Sequence, residues 1–296
     1  MRTTKEFIRK IIEDAASNSD LNNFKSIDLP DEPMWNKPII GYAAGDDSLF
    51  KFYKKDIGDF YWLPSSAFCL KYPEAIVKDE DLTVISFGFA QTDETKKVQS
   101  RAEGMPSLKW VVTRGEWEPF AYDLYDKILR EFEEMGIRAV AIDLIPEWSR
   151  MTSDKYGIAS KWSHRHTAFI AGLGTFGLSD GLITRQGKAM RFCSIIIEDK
   201  LSSDQRPYTT YQEWCKFYSD GTCGACIGRC PVGAISKEGH DKDACSAYLQ
   251  LLKKEIGPDI LRNSNYIAGC GLCQTHIPCQ DHVPVKIVEG CSSQNR

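Results

Sequence analysis

The stretch Asp220-Gly-Thr-Cys223-Gly-Ala-Cys226-Ile-Gly-Arg-Cys230-Pro231 sets three thiols two and three residues apart and closes on a proline. A second group follows: Cys245, then Cys270-Gly-Leu-Cys273-Gln-Thr-His-Ile-Pro-Cys279. Of the 11 cysteines, Cys69 and Cys193 stand apart, and the rest, from Cys215 to Cys291, fall in the last third of the chain. An odd number of cysteines without an export signal argues against a disulfide framework and for metal or redox chemistry.

A short loop with this spacing aims several thiolates at the corners of one iron–sulfur cube, while the cysteine before the proline points at a different cube. Bacterial two-cluster ferredoxins present C-x2-C-x2-C-x3-C-P. The last three cysteines of that pattern are here, and Asp220 occupies the slot of the first. Pro231 is expected in the first turn of a helix, where its missing N–H costs nothing. By the crossover rule Cys230 joins Cys245, Cys270 and Cys273 around one [4Fe–4S] cluster. Cys279 then joins Cys223 and Cys226 around the other, whose open corner falls to Asp220, with Cys215 as the fallback. A carboxylate binds iron less covalently than a thiolate, so the alternatives there are an Asp-ligated cluster or a [3Fe–4S] cluster. A single zinc on the two C-x2-C pairs leaves the Cys-Pro pair, Cys245 and Cys279 unexplained. Cys291 reads as a free thiol in a polar tail.

The 296 residues are 42% hydrophobic and 26% charged, with net charge −4, the balance of a globular chain with no global basic field for nucleic acid. No apolar run reaches membrane-spanning length, and the N-terminus lacks a signal-peptide core. It reads as an amphipathic helix, with Phe7, Ile8, Ile11, Ile12 and Ala15 on one face and a capping box from Thr3 to Glu6. Strand-like runs are 38–44, 82–90, 138–145 and 190–198; helical runs are 116–135, 160–171 and 244–256. The jump in cysteine density after the polar stretch 201–208 places a domain boundary between 207 and 208.

Upstream of the cysteines, Gly172-Leu-Gly174-Thr-Phe-Gly177 matches G-x-G-x-x-G. It follows a helix rather than a strand and lacks the distant acidic residue, so it is not a dinucleotide fingerprint. Closely spaced glycines still mark tight turns or close approach, to a flat macrocycle or to a neighbouring strand. The segment AGLGTFGLSDGLIT, a strand run and CGACIGRCPVGAI with the later GCGLCQ together resemble the epoxyqueuosine reductase and reductive dehalogenase superfamily, over about residues 150–285. The resemblance implies an α+β chain: a nitroreductase-like α/β domain (1–207) that binds cobalamin base-off, then a ferredoxin-like 2[4Fe–4S] domain (208–296). It assigns Gly172, Leu173, Gly174, Gly177, Gly181, Leu182 and Ile183 to corrinoid contact, with Arg191 flanking. It assigns Cys223, Cys226, Cys230, Cys245, Cys270 and Cys273 to the clusters.

The departures shape the functional expectation. The acid that epoxyqueuosine reductases carry before the glycine segment falls on Ile158, so the acid of queuosine synthesis is not visible. The chain also carries no helical-repeat extension for gripping tRNA and no twin-arginine leader. Candidate proton donors are Tyr156 with its phenol acidified by a cationic neighbour, His166 titrating near neutrality, and His164 and Arg165. The expectation is thus a cytoplasmic, oxygen-sensitive iron–sulfur oxidoreductase that reduces a small-molecule substrate at cobalamin. Its electrons come from a soluble donor such as ferredoxin or flavodoxin; neither tRNA nor membrane is a partner. The alternatives are FMN in place of the corrinoid, or an electron-transfer or corrinoid-activating partner with no substrate chemistry.

Overall fold

A computed structural model describes residues 3–25, 29–256 and 268–287; Cys291 lies outside them. Helix α1 (Lys5–Ser17) starts one residue later than expected, because the Thr4 hydroxyl accepts the Phe7 N–H and takes the cap from Thr3. After it come β1 (Ile39–Ala44), α2 (Ser48–Ile57), α3 (Pro64–Lys71), β2 (Thr83–Ala90), α4 (Asp93–Ser100), α5 (Leu108–Gly115), α6 (Trp117–Glu134) and β3 (Ala139–Ala141). The run at 138–145 is therefore mostly not strand: it becomes a short 3-10 turn at Ile142–Leu144.

Next come β4 (Arg150–Ser153) and β5 (Gly157–Ser160), an unexpected hairpin, and α7 (His164–Ile170). That hairpin takes residue 160 from the helix expected there, and Ser163 caps α7 by accepting the His166 N–H. Strands β6 (Gly174–Phe176), β7 (Leu182–Thr184) and β8 (Met190–Ile197) complete the first part. The main sheet runs β1-β2-β8-β3, antiparallel throughout.

Alternation along β2 and β8 serves both faces. Ile85, Phe87, Phe89, Cys193, Ile195 and Ile197 meet α1 and α6 on one side. Val84, Phe192 and Ile196 meet α2, α3 and α7 on the other. Covered on both faces, these strands read as continuous apolar runs. On α6, Phe120, Leu124, Ile128 and Phe132 are fully buried, each contributing roughly 1.5–3 kcal/mol, and Gly136 ends the run at φ 72°.

The last part holds α8 (Lys216–Ser219), α9 (Ala225–Arg229), β9 (Ile235–Ser236), β10 (Gly239–His240) and α10 (Lys242–Ile256). Here the helix lies before Cys230, not after it: Pro231 opens a turn, Gly233 sits at φ 63°, and the Ala234 N–H reaches back to the Cys230 sulfur at 3.2 Å. The chain is α+β, with its cysteine-rich part packed closely on the layered part. Trp214 N–H donates to Thr175 Oγ1, and Leu252 of α10 joins the core under α1 and α6.

One of the closest contacts between the parts is at Gly187. It has φ +86°, and a Cβ there would lie 1.9 Å from the Gln280 carbonyl oxygen. Gly187→Ala should therefore destabilise by more than about 2 kcal/mol, through strain plus displacement of the 279–281 loop. Gly136→Ala, with nothing within 4 Å of its Cβ, should cost about 1 kcal/mol. Urea unfolding of the two variants checks the difference.

Candidate cluster seats and surrounding site

Four cysteines, Cys215, Cys223, Cys226 and Cys279, line one cavity, closed by Leu178, Ile183, Phe217, Ile277, Pro278 and Pro284. Cys215 comes from the turn that precedes α8, Cys223 and Cys226 from the loop into α9, and Cys279 from a turn that packs on the β7–β8 connection. The electrostatic neighbours of Cys279 are Cys215, Cys226 and Cys223. Those of Cys270 are Cys273, Cys245 and Cys230, and those of Cys245 are Cys273 and Cys230. The eight thiols thus fall into two sets of four. Cys226 and Cys273 stand where the sets face each other.

Burial pushes the thiol of Cys279 up to about 11, of Cys245 up to about 11 and of Cys270 up to about 12. Iron binding must displace these protons, so cluster assembly should release protons and weaken in acid. Among the described residues no three Cys, His, Asp or Glu side chains gather closely enough for a single metal ion. The wide ring of four thiols under an apolar cover suits a cube better than one tetrahedral zinc, whose Zn–S bonds are about 2.3 Å.

Asp220 is not part of this ring. Its carboxylate accepts from the Thr222 N–H and hydroxyl, and Lys216 stands 3.9 Å away. Those bonds from Thr222 hold its pKa below the usual carboxylate range. The expected carboxylate corner therefore caps a solvent-facing turn, and Cys215 supplies the fourth thiol that faces the cavity.

The glycine-rich segment is the β6–β7 hairpin, paired Gly174 to Thr184, Thr175 to Ile183 and Phe176 to Leu182, with Asp180 at φ 56° in its turn. Its glycines close on protein. A Cβ at Gly174 would lie 2.3 Å from the Ile183 carbonyl oxygen, and at Gly172 2.9 Å from that of Gln205. At Gly177 and Gly181 it would meet the Lys188 side chain. Leu182 and Ile183 are buried, and Leu173 packs against Gly41. These residues do not form an open cradle for a corrinoid. Arg191, paired with Phe89 across the sheet, makes no hydrogen bond or ion pair among the described residues. Burial, then Arg114, push its pKa below the ordinary value.

The proton-donor candidates part company. Tyr156, at the β4–β5 turn, donates to Asp56 Oδ2 at 2.6 Å, and Lys155 pairs with Asp56 Oδ1 at 2.5 Å. Partial burial and the bond to Asp56 raise its phenol pKa, the reverse of the expected acidification. His166 lies between the rings of Tyr53 (4.5 Å) and Phe176 (4.8 Å), with its nitrogens on Ser163 Oγ and the Tyr211 hydroxyl. Burial, then Arg165, lower it to about 3, so it is neutral at pH 7 and is no acid there. His164 bridges Ser194 Oγ (2.8 Å) and Asp143 Oδ1 (2.9 Å), and Asp143 also accepts from Tyr125. Burial acts to raise Asp143, but His164 and Tyr125 outweigh it and leave its pKa lowered. Arg165 reaches the Asp180 carbonyl, and Asp180 pairs with His240. Asp56, Asp143 and Lys188 had no motif to announce them; only the fold brings them to these places.

An open cleft of about 720 Å³ lies beside Gln280 and Asp281. Its walls include Lys37, Lys96, Lys97 and Arg185 against Asp93 and Asp281.

Residues 221–279 match the 4Fe-4S double cluster binding domain, so the chain carries that domain. An epoxyqueuosine reductase of Leadbetterella byssophila is 29% identical over 157 residues, 52% of this chain and 44% of that protein. One of Francisella cf. novicida is 32% identical over 124 residues, 41% and 33% of the two chains. Over these stretches the chain is similar to epoxyqueuosine reductases. Its match spans less than half the length of these two relatives. A solved epoxyqueuosine reductase with an epoxyqueuosine-modified tRNA stem loop is 19% identical, with TM-score 0.46, covering 96% of this chain and 68% of that one.

The curated relatives are named for the reduction of epoxyqueuosine, which corrects the expectation of a small-molecule substrate with tRNA excluded. Net charge, on which that expectation leaned, averages over the whole surface, whereas the cleft sets four cations against two carboxylates. No helix among the described residues is long and apolar enough to cross a membrane.

Cys215→Ser should lower iron at one cluster and alter its spectrum, whereas Asp220→Ala should leave iron and sulfide unchanged. Iron analysis and EPR of the reduced variants decide; the opposite pattern returns the corner to Asp220.

Proposed function

We propose that this chain is an iron–sulfur reductase of the epoxyqueuosine reductase type, acting on a modified base carried by tRNA. The observation that carries the reading is the sorting of eight thiols into two facing sets, Cys215, Cys223, Cys226 and Cys279 against Cys230, Cys245, Cys270 and Cys273. In this reading residues 1–207 form the layered domain and 208–296 the cluster domain. When bound, [4Fe–4S] clusters supply one-electron transfer. The chain's own residues hold the iron, exclude water with Leu178, Ile183 and Phe217, and set the two seats side by side at Cys226 and Cys273.

A polyanionic substrate is supported by the cleft near Cys279. Lys96 there is bound to Asp93 (2.9 Å) and Asp281 (2.6 Å) and Lys97 to Glu94 (3.6 Å), which leaves Lys37 and Arg185 to meet phosphates. The finer part of the proposal gives the electrons to a base-off cobalamin. Its support is the resemblance in the segment 171–184; against a seat on that segment stands the closure of its glycines on protein.

The test is anaerobic purification with hydroxocobalamin supplied, followed by iron, sulfide and cobalt analysis and incubation with epoxyqueuosine-containing tRNA and a viologen reductant. The reading expects about eight irons per chain and loss of the epoxide from the tRNA. Lys37→Ala and Arg185→Ala should each weaken tRNA binding and flatten its salt dependence by about one unit of slope. Zinc in place of iron, or tRNA left unreduced by protein with its full iron, contradicts it. Stoichiometric cobalt supports the finer reading, and its absence removes the corrinoid.

A further inference from the structure

Lys188 is a buried cation that nothing above has used. It is 3% exposed and lines the cavity of Cys215, Cys223, Cys226 and Cys279. Its Nζ donates to Ser179 Oγ at 2.6 Å, and Ser179, itself buried, is a close neighbour of Cys273 of the other set. The electrostatic partners of Lys188 are Cys279, Cys273, Cys226 and Cys215, so one ammonium faces both sets. Its stem is held in place by the glycine hairpin: a Cβ at Gly181 would lie 2.4 Å from its Cε, and one at Gly177 3.1 Å from its Nζ. Its backbone is tied to the same loop, since the Lys188 N–H donates to the Gln280 carbonyl at 3.2 Å.

The chemistry of the two seats gives this charge a purpose. Four thiolates around a [4Fe–4S] core of charge two plus leave a net negative centre, and reduction adds one more negative charge. A fixed cation beside the cube stabilises the reduced form more than the oxidised form. Net charge and hydrogen bonds to sulfur are levers on cluster potential, and both act strongly where water is excluded.

We propose that Lys188 is a potential-setting residue lodged between the two clusters: it raises the reduction potential of the Cys215/Cys223/Cys226/Cys279 cluster directly and reaches the other cluster through Ser179. The inference rests on the cluster reading above. The step it governs is one electron from a viologen reductant converting the oxidised [4Fe–4S] core to the reduced one, with no bond formed or broken. Gly177 and Gly181 are then small so that this lysine can lie across them.

The test is an EPR-monitored redox titration of reconstituted wild type, Lys188→Met, Lys188→Gln and Ser179→Ala, with iron and sulfide counted on each sample. The signal altered by Cys215→Ser identifies the first cluster. Lys188→Met and Lys188→Gln should keep full iron and lower the equilibrium constant for reduction of the first cluster at least tenfold, about 59 mV for a one-electron couple. The second cluster should move less. Ser179→Ala should shift mainly the second cluster, because it cuts the path to Cys273 and leaves the charge. Full iron with unshifted potentials overturns the role of Lys188 and leaves the clusters intact. Iron loss in both lysine variants alike overturns it too, in favour of a part in assembly. A wild type without about eight irons fails the cluster reading instead, so the two failures are distinct.

Discussion

The fold turns on the contact between the 279–281 loop and the β7–β8 connection. Gly187 lets the Gln280 carbonyl come within a distance that no side chain permits, and the adjacent Lys188 N–H binds that same oxygen. This pair of constraints brings Cys279, the most distant ligand candidate in sequence, to the thiols of 215–226. It also carries Lys188 into the cavity they surround. Removed from that contact, Cys279 has no reason to face Cys215, and the ammonium would stand unpaired in an apolar pocket, a costly arrangement.

From that contact the rest is layered outward. The glycine hairpin of β6 and β7 supports Lys188 from one side, and Phe176 of that hairpin takes the Tyr211 carbonyl on its N–H and stacks on the Tyr211 ring at 4.3 Å. Tyr211 in turn holds His166, which burial keeps neutral. On the other side of α7 the chain Tyr125, Asp143, His164 and Ser194 ties the helix to the sheet with every polar atom partnered. A helix fixed on both sides keeps the hairpin, and through it Lys188, in a defined place. The glycines Gly174, Gly177 and Gly181 are therefore packing devices of the cluster domain's neighbour.

Much of this was legible in the sequence. The runs 38–44, 82–90 and 190–198 read as strands because both faces of the central strands are covered, which removes polar alternation. The 3.6 period of Phe120, Leu124, Ile128 and Phe132 marked α6. The spacing alone sorted seven of the thiols into two sets and left open only the corner that Cys215 faces. What was not legible has a common cause: long-range packing. Pro231 carries the signature of a helix start, yet the Ala234 N–H is drawn to the Cys230 sulfur and the chain turns. Asp220 sits in register with a ligand slot, but its Thr222 neighbour satisfies its carboxylate locally while Cys215 arrives from the preceding turn. Tyr156 and His166 looked like acids because residue type sets only a starting pKa. Asp56 on α2 and the aromatic wall around His166 reverse both expectations, and neither is near in sequence. Net charge hid the basic cleft for the same reason.

The central claim is that two iron–sulfur cubes sit in two seats of four thiols each, with Cys215 and Cys279 closing the first. Iron-edge anomalous diffraction from a crystal of the anaerobically reconstituted protein tests it directly. The account predicts two compact iron peaks, one enclosed by Cys215, Cys223, Cys226 and Cys279 and one by Cys230, Cys245, Cys270 and Cys273, with the Lys188 side chain between them. A single peak, or a first peak bound by Asp220 with Cys215 turned away, would contradict it.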